Sequence, residues 1–276
     1  MTDYKIFANH AHVFPKGSKD NAQLENLKEL MAECGIEKAV CFAPFNHQTE
    51  RVGITISQNK WLYDEIKNDN SLVGFGTINF DIGSINEQVK EISALGFKGI
   101  KIHPAAQEVA VDGRELFEVY AEAEKQNLFI SFHTGLHWHR IKDYSMLLFD
   151  EVAYNFPNLK FSMEHVGGYS FFKEALLVMN NNSRKGNHIY AGLTSIAMEK
   201  DEFGNLRAGA WSLTDDELCD LIHQTGAKNS IIGLDFPYKD AEYTKNAIER
   251  IKNLPISEEA KRGILGENLK TALNLD

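Results

Sequence analysis

Two histidines one residue apart, His10 and His12, lie in an apolar run near the start of the chain. On a β-strand that spacing puts both imidazoles on one face, about 6–7 Å apart along the backbone, able to converge on one metal ion. Three later apolar segments also end in a metal-ligating residue: 129–133 in His133, 161–165 in His165 and 231–235 in Asp235. Imidazole nitrogen and carboxylate oxygen suit zinc and related divalent ions, at about 2.0–2.2 Å. Three or four such donors with one position left open hold a water whose pKa falls towards about 7, so that hydroxide is available at neutral pH. With only 10 histidines among 276 residues, a single one at a strand end means little. Histidine at four such sites, with aspartate at the last strand, is hard to assign to packing alone.

These residues need a frame that brings distant strand ends together. Short apolar or β-branched runs at 5–14, 38–44, 72–79, 97–103, 128–133, 160–165, 188–195 and 230–236 alternate with amphipathic helical patterns. The pattern at 114–126, with Leu116, Val119, Tyr120 and Ala123 on one face, is an example; 21–34 and 85–95 are others. Strand–helix alternation implies a parallel sheet. Eight strands in about 240 residues fit a closed (β/α)₈ TIM barrel better than a doubly wound sheet, which would carry a Gly-rich phosphate loop after its first strand. The expectation is one barrel domain over 1–276 with the metal site at the C-terminal face of the strands. Alternation also predicts that Glu164, next to His165, faces the helices in a structural role. The irregular stretch 196–212 would be a long loop at the same face, either a cover for a pocket or a passive insertion.

Composition removes several classes. A net charge of −10 without any basic cluster argues against nucleic-acid and anionic-membrane partners. Three cysteines without a Cys-x-x-Cys spacing exclude a disulfide framework and a thiolate zinc site. No apolar stretch approaches the length of a membrane span, and residues 1–15 carry no signal-peptide pattern. The expectation is a cytoplasmic enzyme acting on a small molecule, with exposed aromatics that would permit a homodimer.

The motifs His10-Ala11-His12, Gly99-Ile100-Lys101-Ile102-His103-Pro104, His133-Thr134-Gly135, His165-Val166-Gly167-Gly168 and Gly233-Leu234-Asp235-Phe236-Pro237 occur in the order found in the amidohydrolase superfamily. The chain resembles its compact amidohydrolase-related branch of metal-dependent barrel hydrolases and decarboxylases, almost from end to end. Residues 264–273 resemble that branch's closing helix. Leu234 stands where the branch often has a small polar residue, which lowers the polarity expected beside Asp235.

The resemblance implies one divalent ion, zinc first and manganese second, held by His10, His12, His133 or His165, and Asp235. Asp235 would take a proton from the metal-bound water and hand it to the leaving group, with His165 as ligand or acid–base residue. In binuclear relatives a carboxylated lysine of strand 4 bridges two metals; here one metal is expected, with Lys101 and His103 lining the pocket. The loop residues His137, His139 and Arg140 are candidates for binding a substrate carboxylate, the arginine through its planar fork of donors. Hydrolysis of a small amide, lactone or ester is the first expectation. Non-oxidative decarboxylation of an aromatic or unsaturated carboxylic acid is the alternative.

Overall fold

The computed structural model describes residues 4–186 and 188–275. Ten strands occur among them: β1 (Ile6–His12), β2 (Ile36–Phe42), β3 (Leu72–Thr77), β4 (Gly99–Ile102), β5 (Phe129–His133), β6 (Lys160–Glu164), β7 (His188–Leu193), β8 (Glu199–Lys200), β9 (Leu206–Arg207) and β10 (Ser230–Phe236). All but the two-residue pair β8 and β9 close into a parallel barrel, in the order β1-β10-β7-β6-β5-β4-β3-β2. Each of the eight expected strands is present. The expected helices are present too, as Leu24–Cys34, Ile85–Ala94 and Arg114–Gln126.

Two apolar layers hold this frame. Outward-facing strand residues such as Ile100, Ile130, Phe132 and Met163 pack under the helices, where Leu116, Val119, Tyr120 and Ala123 of Arg114–Gln126 form the expected buried stripe. Inside the barrel a second cluster stacks Phe7, Val40, Phe42, Phe75, Phe129, Tyr190 and Ile231. Neighbouring rings in it lie 5.5–6.0 Å apart along the series Phe42, Phe75, Phe129, Tyr190, a spacing at which aromatic pairs attract. Leu269, Ala272 and Leu273 join that cluster from the C-terminal segment, so the helix Asn268–Ala272 plugs the end of the barrel away from the strand C-termini. The apolar filling forces the polar interior to the opposite mouth.

Strand alternation carries the inward face up to that mouth. Val73, Phe75 and Thr77, Gly99, Lys101 and His103, or Phe129, Ser131 and His133 are successive inward positions, apolar below and polar above. Ser162 and Glu164 continue this rule on β6, so Glu164 points into the barrel and is fully buried. The expectation that it faces the helices is corrected. His165 reaches the same cavity because the chain turns there, with φ of 62° at His165 and 49° at Val166.

The loop 196–212 divides its roles. The β8–β9 hairpin is exposed on both strands, held by the backbone and side chain of Asp201. Trp211 instead folds back over the barrel mouth, its Nε1–H donating to the carbonyl of Leu136 at 2.8 Å.

Candidate active site

Two strand ends, those of β1 and β10, bring His10, His12 and Asp235 into one group. The Nε2 atoms of His10 and His12 are 3.1 Å apart, and His10 Nε2 lies 3.5 Å from Asp235 Oδ1. A tetrahedral ion with bonds of about 2.0–2.1 Å has ligand–ligand edges of roughly 3.3–3.4 Å, so the two separations from His10 Nε2 are close to those that one ion requires, and all three donors lie within 4.8 Å of one another. His133 and His165 border the group in ring contact: His133–His165 at 4.8 Å and His10–His165 at 5.3 Å between centroids. His133 Nε2 is buried without a hydrogen-bond partner among the described residues. A buried imidazole nitrogen left without a partner is costly, and an ion at the mouth is a group that would satisfy it. Donor types, spacing and the orphaned nitrogen all fit a divalent metal.

The backbone that aims these side chains is unusual. His10, His165, Ser195 and Asp235 all have φ between 55° and 67°, a left-handed conformation that non-glycine residues avoid at a cost of order 1–3 kcal/mol each. At His10 the pairing of β1 with β10 slips between Asn9 and Ala11. That bulge lets Asn9 and His10 both enter the barrel, where simple alternation admits only one of them.

Burial sets the protonation states. Desolvation holds His10, His12, His103 and His133 well below the usual imidazole pKa, with Lys101 and neighbouring histidines adding to the effect. His165 is lowered to about 3, by burial and then by Lys101. Its Nδ1 faces the carbonyl of Thr194 at 2.9 Å, and a carbonyl only accepts, so Nδ1 carries the hydrogen and Nε2 presents a lone pair. Asp235 is raised by burial, against the opposing pull of Ser195, whose hydroxyl donates to Oδ2 at 2.5 Å. Lys101 is fully buried, 3.5 Å from His10 Nε2 and over the Phe42 ring at 5.1 Å. Desolvation lowers it to about 8, with Glu164 and Asp235 pulling the other way, which leaves it mostly protonated at neutral pH.

A cavity of about 520 Å³ opens above these groups. It is lined by His10, His12, His133, His165 and Asp235, by Lys101, His103 and His137, and by aromatic walls that include Phe14, Phe45, Trp211 and Tyr238. Trp211 stacks on His165 at 4.8 Å and 26°. Leu234 packs on the helix side of its strand, so it leaves the polarity around Asp235 untouched.

Among the loop candidates, His137 lines the cavity while Arg140 does not. The Arg140 guanidinium sits on the rim, 70% exposed and within 3.5 Å of Asp143, and borders a separate groove with Pro104 and Lys142. His139 is exposed and borders that same groove, its ring 5.7 Å from His103. His103, His137 and His139 form a second cluster with the spacing of a metal site, yet the backbone N–H of Ala106 donates to His103 Nδ1. Nε2 of His103 therefore bears the ring hydrogen and points it at His137 Nδ1, 3.3 Å away. That tautomer makes a hydrogen-bonded pair and opposes ligation through Nε2.

The family model of the amidohydrolases matches residues 19–270. The chain belongs to this family. His10 and His12 precede the matched span, so their place in the site rests on the geometry above. A curated relative, 2-amino-3-carboxymuconate-6-semialdehyde decarboxylase of Dictyostelium discoideum, is 23% identical over 231 residues, 76% of this chain. The match spans 63% of that relative's length. A dihydroxybenzoic acid decarboxylase from Polaromonas sp. JS666, solved with bound manganese and the inhibitor 2-nitroresorcinol, superposes with a TM-score of 0.68 at 14% identity, covering 99% of this chain and 97% of that one. A putative 2-pyrone-4,6-dicarboxylic acid hydrolase from Pseudomonas putida gives 0.68 at 16% identity, covering 99% and 98%. At these identities the two solved structures bear on the fold. The protein is an enzyme of the amidohydrolase superfamily with a candidate metal site, and among the described residues no helix is long and apolar enough to cross a membrane.

Four residues at the site were not singled out from sequence as members: Glu164, Thr194, Ser195 and Trp211. A signal existed for the first. Ser131, Ser162 and Glu164 are polar residues within otherwise apolar strands, and buried polar groups seek one another.

Proposed function

We propose that this enzyme decarboxylates a small, planar aromatic or unsaturated carboxylic acid without an oxidant, at one divalent metal ion held by His10, His12 and Asp235 and completed by His133. One observation carries the reading: aromatic walls enclose a cavity whose floor pairs the donor group with a buried lysine. Flat π faces suit a planar substrate, and a buried ammonium takes a carboxylate as its counter-charge. The decarboxylases among the relatives support the same chemistry. The donor set suits zinc, and the manganese bound by the Polaromonas enzyme makes that ion the second choice.

Held by His10, His12, His133 and Asp235, a divalent ion would supply Lewis acidity toward the substrate's oxygens. Lys101 pairs with the substrate carboxylate from below. Asp235, its Oδ2 fixed by Ser195, carries a proton from solvent to the substrate carbon that bears the carboxylate. The bond from that carbon to the carboxyl group then breaks, its electron pair returns to the π system and carbon dioxide leaves. The neutral His165 offers the Nε2 lone pair to a substrate hydroxyl or water, oriented by Thr194 and by the Trp211 ring. Protons and charge balance: one carboxylate and one proton become a C–H bond and carbon dioxide.

Hydrolysis of a carboxylate-bearing lactone, amide or ester is a second reading, favoured by Asp235 Oδ1 facing the donor group where an attacking water would sit. Asp235 would then accept the water's proton and return it to the leaving group. The test starts with elemental analysis of the purified protein before and after chelation. It continues with a panel of planar carboxylic acids, read as released carbon dioxide, and a panel of lactones and amides, read as released acid. Carbon dioxide release that Asp235→Asn abolishes supports decarboxylation. Ring opening without carbon dioxide transfers the assignment to hydrolysis. A protein that takes up no metal on reconstitution removes the basis of both.

A further inference from the structure

Beneath the donor group lies a buried carboxyl group whose surroundings are built around it. Glu164 Oε1 accepts from Asn9 Nδ2 at 2.7 Å, from Ser131 Oγ at 3.1 Å and from the Ser162 hydroxyl. Glu164 Oε2 accepts from Thr194 Oγ1 at 2.6 Å and lies 3.0 Å from His10 Nδ1. Four strands therefore aim donors at one side chain that no solvent reaches. Two glycines keep the space open. A Cβ on Gly192 would lie 2.3 Å from Glu164 Oε2, and one on Gly233 would lie 1.9 Å from Thr194 Oγ1.

We infer that Glu164 is the positioning residue of the metal site: it fixes the tautomer and orientation of His10 so that Nε2 faces the ion. The inference rests on the metal reading above and adds to it the residue that makes the site. A histidine that ligates through Nε2 must carry its hydrogen on Nδ1, and a carboxylate on the Nδ1 side selects that tautomer and raises the basicity of the other nitrogen. The same network reaches the second histidine. Thr194 gives its hydroxyl to Glu164 and its carbonyl to His165 Nδ1, so one strand end orients both imidazoles. A purely structural carboxyl group would need its four hydrogen-bond donors but no imidazole beside it. Here His10 Nδ1 is buried without a hydrogen bond among the described residues, and the Glu164 carboxyl oxygen 3.0 Å away is the polar atom that faces it.

The test measures metal affinity by competition with a chromophoric chelator, using zinc alone as the probe, together with thermal unfolding of the metal-free proteins. Glu164→Gln replaces an acceptor by an amide that cannot take every donor now aimed at it, and it leaves His10 without a carboxylate. The expected loss of zinc affinity is about 10–100-fold, the usual effect of removing an outer partner of a ligating histidine. Ser131→Ala removes one donor on the oxygen far from His10 and is expected to keep zinc affinity within about threefold. Should Glu164→Gln fail to fold, Gly192→Ala decides, since its methyl displaces Oε2 while the charge stays; it is expected to show the same loss. Zinc affinity unchanged in a folded Glu164→Gln or Gly192→Ala protein overturns the inference, as does an equal loss in Ser131→Ala. Failure of the wild-type protein to bind zinc or manganese overturns the metal reading instead, so the two failures are told apart.

Discussion

Removal of metal should make this protein sensitive to mild acid, over a pH range set by its buried histidines. His10, His103, His133 and His165 are each no more than 8% exposed, and all four have pKa values below 6.5 in the folded chain. In the unfolded chain they titrate near 6.5. A group whose folded pKa is depressed binds its proton first in the unfolded state, so stability is present above pH 6.5 and is lost as the pH falls; for His165 the loss continues to about 3. Between pH 7.5 and 5.5 each such histidine costs about 1.4 kcal/mol, and the four together about 5 kcal/mol. Asp235, with its raised pKa, has the opposite sign and offsets part of this loss. Ordinary carboxylates hardly titrate in this range. Since domains are stable by roughly 5–15 kcal/mol, the change approaches the whole of a modest stability. The assay is urea unfolding of chelator-treated protein at half-unit steps from pH 7.5 to 5.5. A fall of about 4–5 kcal/mol is expected, and a smaller one in metal-loaded protein, where the ion competes with protons for the same nitrogens. A fall below about 1.4 kcal/mol in the metal-free protein would show that the histidines are not held neutral by burial, and would refute the reasoning.

Other outcomes follow from single contacts. Ser195→Ala removes the donor that holds Asp235 in its charged form; because Asp235 delivers a proton in the decarboxylation, the alkaline limb of the kcat/KM profile should move to higher pH, and a fixed limb would separate Asp235 from the rate. Arg140→Ala should change KM by less than about twofold, because an exposed ion pair with Asp143 contributes little; a tenfold rise in KM would place the guanidinium on the substrate. Phe75→Ala empties the barrel filling between Phe42 and Phe129 and should destabilise by about 3–5 kcal/mol in denaturant melts. A loss under about 1 kcal/mol would mean that the interior is not packed there.

The chain by itself determined the elements and most of the ligand types. Strand and helix periods are local properties, which is why eight strands, the stripe of Arg114–Gln126 and the residues ending each strand were legible without a structure. The barrel order also follows from alternation, since consecutive βα units pack beside one another. What only the tertiary structure decided lies where local rules break. Counted back from His165, alternation placed Glu164 outside; in the structure it holds through Glu164, which points inward, and left-handed turns at His165 and Val166 admit the next residue as well. The bulge at His10 does the same for Asn9 and His10. Ser195 and Trp211 come from a loop whose sequence reads as irregular, and Arg140 is lost from the cavity because its loop turns it to Asp143. Periodicity states which face a residue takes relative to its neighbours. It does not state where strained backbone exchanges the faces, and in this protein that exchange assembles the site.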